Sequence, residues 1–224
     1  MASYQPVRGA TSSPGYLRLS GGWLFGKGML LTVACALSQA SLGYDTGITD
    51  IIPFVDEMRG SGKYTAVIRS QAAFGYSHTA GIIVGAISTF LVGLYLGRKR
   101  SLAVGTVVSG IGYIITASSF SIGQLIAGRV ISGLGGGFTA SLAPIWQVEA
   151  ADTRQRGRLV VVQLVSKLVG SMVASWVLFS YGHGTINGGD DRVEPVSWRF
   201  PVAINLVLIV ALSLLLIALP ESPR

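Results

Sequence analysis

Charge is scarce in this chain. Lysine, arginine, aspartate and glutamate make up only 12% of its 224 residues and half of it is hydrophobic, where an ordinary globular domain carries about a quarter charged residues. So little charge cannot clothe a soluble surface, and the composition is that of a chain embedded in a bilayer. Cysteine is nearly absent: the single Cys35 rules out a disulfide framework or a cysteine metal site within one chain, and it reads as a small core residue. No metal-ligand cluster, nucleophile–base pair or cofactor loop stands out, so the sequence argues against an enzyme and implies no cofactor or metal. No secretory leader is expected at the start, because residues 1–26 read as a polar tail with Gly, Ser and Pro rather than a basic start followed by an apolar core. That tail is expected to be disordered and cytoplasmic.

Long apolar runs are what the chain has instead. Segments of about 20 residues, enough to cross a bilayer, fall at Met29–Ile48, Ala72–Leu96, Leu102–Ser118, Gly123–Val148, Leu159–Tyr181 and Phe200–Leu219. They predict an all-α membrane protein with six transmembrane helices over residues 27–224. The net charge of +7 then matters by position. Arg8, Arg18 and Lys27 precede the first span, Arg98, Lys99 and Arg100 follow the second, and Arg154, Arg156 and Arg158 follow the fourth. With alternating spans all three clusters share one side, while the basic residues of the other side are diluted by Asp50, Asp56, Glu57, Asp190, Asp191 and Glu194. Basic residues in short loops mark the cytoplasmic face, so both termini are expected there, and the charge encodes topology rather than nucleic-acid binding.

Glycine is abundant in the second and fourth spans, where small residues let membrane helices approach closely. A phosphate cradle is the weaker reading of Gly133–Gly137, since no strand precedes the run and no Gly-Lys-Ser/Thr follows. Gln163 and Lys167 lie four apart, on one predicted face of the fifth helix. Lys167 is about 12 Å beyond the preceding loop at 1.5 Å per residue, which leaves two readings open: snorkelling back to the surface or facing a cavity. Trp23, Trp176 and Trp198 read as interfacial anchors. His78 and His183 carry no expected role, the latter in an exposed connection drawn at Gly182–Arg199.

Two charge constellations remain. Arg129 lies inside a glycine-rich apolar helix, where an ionisable residue is expensive and marks a functional site by default. Counted at 1.5 Å per residue, Asp45 lies roughly 24 Å along the outward first helix and Arg129 about 9 Å below the outer surface on the inward fourth. The depths agree, so the two are expected to pair. An aspartate so paired stays ionised, and one that is parted from its arginine can take up a proton; a static structural pair is the other reading. The second constellation gathers Arg98, Lys99, Glu149 and Arg156 at the cytoplasmic helix ends. Ion pairs there can hold one face of a transporter shut, or the basic residues can simply be topological charge, which leaves Glu149 unexplained.

At these residues the chain resembles the sugar porter branch of the major facilitator superfamily, and within it the fungal hexose and polyol permeases. The matching pieces are GYDTG at Gly43–Gly47, GRKR at Gly97–Arg100, the glycine run from Gly128 to Gly137, PIWQVE at Pro144–Glu149, RGRLV at Arg156–Val160 and PESPR at Pro220–Arg224. The resemblance implies two six-helix bundles with substrate between them, of which this chain would be the N-terminal bundle, with helices seven to twelve absent. It implies that Asp45 and Arg129 are the proton-coupling pair, and that Arg98, Glu149 and Arg156 belong to the cytoplasmic gating network with Lys99 beside them. It also implies a substrate cavity at Gln163, Leu164 and Lys167. Three departures accompany it: Leu164 stands where relatives place a sugar-binding glutamine, Lys167 where the site is usually neutral, and Leu94 and Tyr95 where an acid and a base precede GRKR.

The expectation is therefore transport of a sugar or polyol by proton symport, in a plasma-membrane protein whose partners are the sugar, the proton and the lipid bilayer, and not nucleic acid. A second chain supplying the missing half is the remaining partner to consider. The alternatives are a truncated, non-transporting or regulatory membrane protein, and half of an organic-acid transporter.

Overall fold

The computed structural model describes residues 27–58, 64–151, 154–187 and 196–219. Among these residues there is no strand, and six helices follow one another: α1 (Lys27–Met58), α2 (Tyr64–Leu96), α3 (Arg98–Ala117), α4 (Ile122–Ala150), α5 (Arg156–Asn187) and α6 (Val196–Ala218). Four of them contain segments long and apolar enough to cross a membrane: Arg98–Ala117, Gly123–Ala150, Arg156–Ser180 and Phe200–Ala218. The N-terminal tail, Trp23 and PESPR lie outside the described residues.

The helices outrun the apolar segments that announce them. α1 continues past Ile48 to Met58, α2 begins at Tyr64 rather than Ala72, and α5 extends to Asn187, which narrows the expected Gly182–Arg199 connection to 188–195. An apolar run marks the part of a helix that tolerates hydrocarbon. Intrahelical hydrogen bonding continues into polar sequence beyond it.

GRKR also moves. It was expected at the end of the second span, but Arg98, Lys99 and Arg100 form the first turn of α3. The reversal from α2 to α3 takes one residue, Gly97, whose φ of 83° lies where a Cβ is disfavoured. Cations in a first helical turn oppose the helix dipole, and partners offset this: Arg98 meets Glu149, and Lys99 donates to the Leu219 carbonyl just past the end of α6. α4 starts more conventionally, with Ser121 as N-cap accepting from the Gln124 N–H at 3.2 Å, while the Gln124 side chain accepts from the Phe120 N–H at 3.2 Å. One orphan donor of the helix start is thereby satisfied, and the N–H just before the cap finds a partner as well.

Glycine decides which helices meet. α4 packs along α2 and α3, while α1 packs on α5. A Cβ placed on Gly81 or Gly85 of α2 would strike the backbone of Val130 or Leu134, and one on Gly133 or Gly137 of α4 would strike the carbonyls of His78 or Ile82. These are two glycines four apart on each helix, interlocked backbone to backbone. The same geometry joins α1 to α5, where Gly43 sits on the Lys167 backbone and Gly170 on the Ala40 carbonyl.

Polarity is inverted relative to a water-soluble fold. Large apolar side chains such as Ile87, Phe90, Leu168, Phe179 and Ile217 are exposed, whereas Asp45, His78, Arg129, Gln147, Gln163 and Asn205 are buried. One apolar core unites Leu31, Cys35, Leu102, Leu142, Trp146, Leu212 and Leu216 from α1, α3, α4 and α6. A second gathers Tyr44, Ile48, Ala174 and Leu178 from α1 and α5. The buried charges lie close to this second core, since Asp45 follows Tyr44 directly. Trp176 is exposed.

Candidate functional site

Asp45 is 1% exposed and Arg129 is sealed completely. Arg129 Nη1 lies 2.5 Å from Asp45 Oδ1, so the pair expected from matched depths forms. Arg129 Nη2 also donates to Thr49 Oγ1 at 3.0 Å, and the Thr49 hydroxyl donates to the Asp45 carbonyl at 2.8 Å, one helical turn back. Threonine thus braces the guanidinium against the helix that carries its counter-ion.

The other carboxylate oxygen is taken as well. His78 Nε2 stands 2.7 Å from Asp45 Oδ2, with His78 only 3% exposed. The two atoms are within contact distance without being aligned as a hydrogen bond, and a proton on Nε2 would make the contact attractive, since a carboxylate oxygen and a bare imidazole nitrogen are both acceptors. Tyr113 from α3 adjoins Asp45 and Asn205, and Asn205 Oδ1 accepts from Ser41 Oγ at 2.7 Å. The cluster therefore draws on α1, α2, α3, α4 and α6.

Sequence reading missed His78, Thr49, Tyr113 and Asn205. For His78 a signal was present: it lies six residues into the span beginning at Ala72, about 9 Å deep at 1.5 Å per residue, the same depth as Arg129. Thr49, one turn beyond Asp45 on α1, was within reach by the same helical logic. Tyr113 and Asn205 depend on which helices touch, and nothing local in the sequence announces that.

At the far end of α4, Arg98 grips Glu149 through both nitrogens, Nε to Oε2 at 3.1 Å and Nη2 to Oε1 at 2.9 Å. This pair is partly solvated. Lys99 and Arg156 do not join it: Lys99 turns to Leu219, and Arg156 Nε reaches the Ala151 carbonyl at 3.5 Å. Of the four residues expected together here, two pair directly and two bind helix-end carbonyls.

The residues expected to line a cavity separate. Gln163 is buried and donates to Gln147 Oε1 and, at 3.4 Å, to the Ala143 carbonyl, both on α4. Leu164 and Lys167 are exposed on the surface of α5. Four-residue spacing on a helix brings two positions within about 40° of each other, enough here for one to pack against α4 while the other lies outside the contact. Leu94 lies in α2, and its side chain is outside the described residues.

Residues 30–224 match the family model described as Sugar (and other) transporter. Among curated proteins, the chain is 34% identical over 215 residues to MFS-type transporter oryC of Aspergillus oryzae, covering 93% of this chain and 37% of that protein. It is 30% identical over 208 residues to Sugar transporter STL1 of Saccharomyces cerevisiae, covering 87% and 35%. It is 34% identical over 194 residues to Myo-inositol transporter 1A of Cryptococcus neoformans, covering 87% and 32%. The chain thus spans about a third of the length of these relatives. Among solved structures, the major facilitator proton:xylose symporter XylE bound to 6-bromo-6-deoxy-D-glucose superposes with a TM-score of 0.74 at 22% identity, over 88% of this chain and 45% of that one. An inward open conformation of XylE from E. coli gives 0.71 at 21% identity, over 86% and 48%. These relatives and fold neighbours are transporters, not enzymes.

Proposed function

The chain belongs to the sugar (and other) transporter family, and we propose from that premise that it forms the N-terminal six-helix bundle of a proton-coupled transporter for a sugar or polyol. In this reading all six helices cross the bilayer, both termini are cytoplasmic, residues 1–26 are a tail, and the protein resides in the plasma membrane. The substrate class follows the relatives, which include a sugar transporter and a myo-inositol transporter.

The observation that carries proton coupling is the sealed carboxylate of Asp45, held on one oxygen by Arg129 and on the other by His78. A buried carboxylate paired with a cation stays ionised, and its protonation removes the attraction that holds the helices in one arrangement. Two packings of the bundle then differ by one proton, which is what coupled alternating access needs. Arg98 with Glu149 serves as a latch on the cytoplasmic side, with Lys99 and Arg156 fastening neighbouring helix ends.

The test is uptake of labelled glucose, xylose and glycerol, with and without a protonophore, in transporter-deficient yeast expressing residues 1–224 at verified membrane levels. Protonophore-sensitive accumulation that is lost in Asp45→Asn supports the reading. Accumulation retained in Asp45→Asn overturns the coupling role. Folded, inserted protein without uptake favours a non-transporting bundle, or one that needs a second chain.

One observation favours a second reading, in which the substrate is an organic acid. Lys167 is exposed on the α5 surface, deep within the apolar segment Arg156–Ser180, and no described carboxylate pairs with it. A cation at that depth is expensive unless it faces water or an anion.

A further inference from the structure

We propose that His78 is the port through which the coupling proton reaches Asp45, so that the two residues act as a relay rather than Asp45 acting alone. This rests on the proton-coupled reading above.

The argument is one of access. Asp45 is 1% exposed, Arg129 occupies Oδ1 at 2.5 Å, and His78 Nε2 occupies Oδ2 at 2.7 Å. Both carboxylate oxygens are faced by a protein nitrogen and Oδ2 is closed to solvent, so water or hydronium does not reach the acid directly. Arginine cannot hand over a proton, because its guanidinium stays protonated. Histidine can, since it has two ring nitrogens and only Nε2 is committed to the carboxylate.

The step balances simply. The relay starts from an ionised Asp45 and a His78 whose Nε2, 2.7 Å from Oδ2, carries the proton to be passed on. A proton arriving at Nδ1 allows the Nε2 proton to pass to Asp45 Oδ2. The N–H bond at Nε2 breaks, an O–H bond at Oδ2 forms, and a new N–H bond forms at Nδ1. The product is a neutral carboxylic acid beside a neutral histidine of the other tautomer, with one proton gained overall. Release runs the same path backward.

The packing gives this relay a mechanical output. His78 lies on α2 and Arg129 on α4, two helices locked by Gly81, Gly85, Gly133 and Gly137, and a Cβ on Gly133 would strike the His78 carbonyl itself. Asp45 lies on α1, which packs mainly on α5. Both bases thus ride on one helix pair and the acid on another, so protonating Asp45 loosens the joint between the pairs. The titratable or charged groups facing His78 are Asp45 from α1 and Arg129 from α4, and Tyr113 from α3 adjoins Asp45.

The experiment uses the purified chain in detergent. ¹⁵N-histidine spectra follow the tautomer of His78, separated from the second histidine by a His183→Gln variant, while infrared spectra follow the carboxylic-acid band that Asp45→Asn removes. The expected result is that the Asp45 band and the change of His78 from the Nε2–H to the Nδ1–H form titrate together. His78→Gln, which keeps an N–H toward Asp45 but cannot relay, should move the midpoint of the Asp45 band by about one pH unit or more, a tenfold change in proton affinity, and slow its exchange. Asp45 protonating while His78 keeps one tautomer overturns the relay, as does an unmoved midpoint in folded His78→Gln. The unsubstituted spectra decide the matter if that variant does not fold. Neither spectrum requires substrate movement. Co-titration without accumulation overturns the transport reading alone, and accumulation with a silent His78 overturns the relay alone.

Discussion

Arg129 Nη1 lies 2.5 Å from Asp45 Oδ1 across the interface of α4 and α1, with both side chains sealed from solvent. Such a pair is weak evidence of net stability, because desolvating two charges offsets most of their attraction, but removing one partner strands the other. Arg129→Ala should therefore destabilise the bundle by about 3–5 kcal/mol. The double variant Asp45→Asn with Arg129→Gln should recover a substantial part of that loss, since it leaves no buried charge unpaired. Thermal unfolding in detergent checks this, and equal melting of the single and double variants would contradict it.

The glycines make a sharper prediction because they differ among themselves. A Cβ at Gly137 would meet the Ile82 carbonyl and the Ala86 N–H nitrogen, both backbone atoms that cannot turn aside, whereas nothing lies within 4 Å of a Cβ at Gly123. Gly137→Ala should cost about 1–3 kcal/mol by overpacking. Gly123→Ala, on the same helix, should be neutral or stabilise by up to about 1 kcal/mol through helix propensity. Melting temperatures of the two variants, measured side by side, test the backbone contact of α2 with α4.

Arg98 and Glu149 form a bidentate pair whose side chains are 34% and 46% exposed. In the isolated chain their coupling energy should fall below about 1 kcal/mol, the range of solvated pairs. A double-mutant cycle with Arg98→Ala and Glu149→Ala measures it. A larger value would mean that the pair is embedded in a charge network, with neighbours such as Arg156 contributing.

Lys167 separates the two substrate classes. If the substrate carries a carboxylate, Lys167→Asn should abolish uptake of a labelled organic acid. If the substrate is a neutral sugar or polyol, the same variant should transport as well as the parent or better, because a misplaced cation has been removed from the path. Uptake assays with both substrate classes distinguish these outcomes.

Helices were easy to read from this sequence and their partners were not. Hydrocarbon imposes long apolar runs on any spanning helix, and each of the six helices coincides with an apolar segment even where its ends are misjudged. The Asp45–Arg129 pair was legible for a related reason: charges at depth are so costly that two at one level must meet. His78 carries no expected role in the sequence because an uncharged form is open to it, and a neutral polar residue near a span's end looks interfacial. Glycine advertises close approach without saying to what. The glycines of GYDTG meet α5, while Gly133 and Gly137 meet α2, and only the assembled backbone separates those cases. Gln163 and Lys167 show the limit of spacing arguments, since a contact edge runs between them.

The single residue joining α2 to α3 leaves no slack. Gly97 turns the chain at a φ of 83°, and Arg98 follows at once, so any tilt of α2 is delivered undamped to the guanidinium that holds Glu149. Glu149 and Arg129 lie twenty residues apart on α4, about 30 Å along its axis, and they face Arg98 at the start of α3 and Asp45 on α1 respectively. The two charge sites thus share one helix, α4 contributing Arg129 to the first and Glu149 to the second, so the same rigid element is pinned near both of its ends.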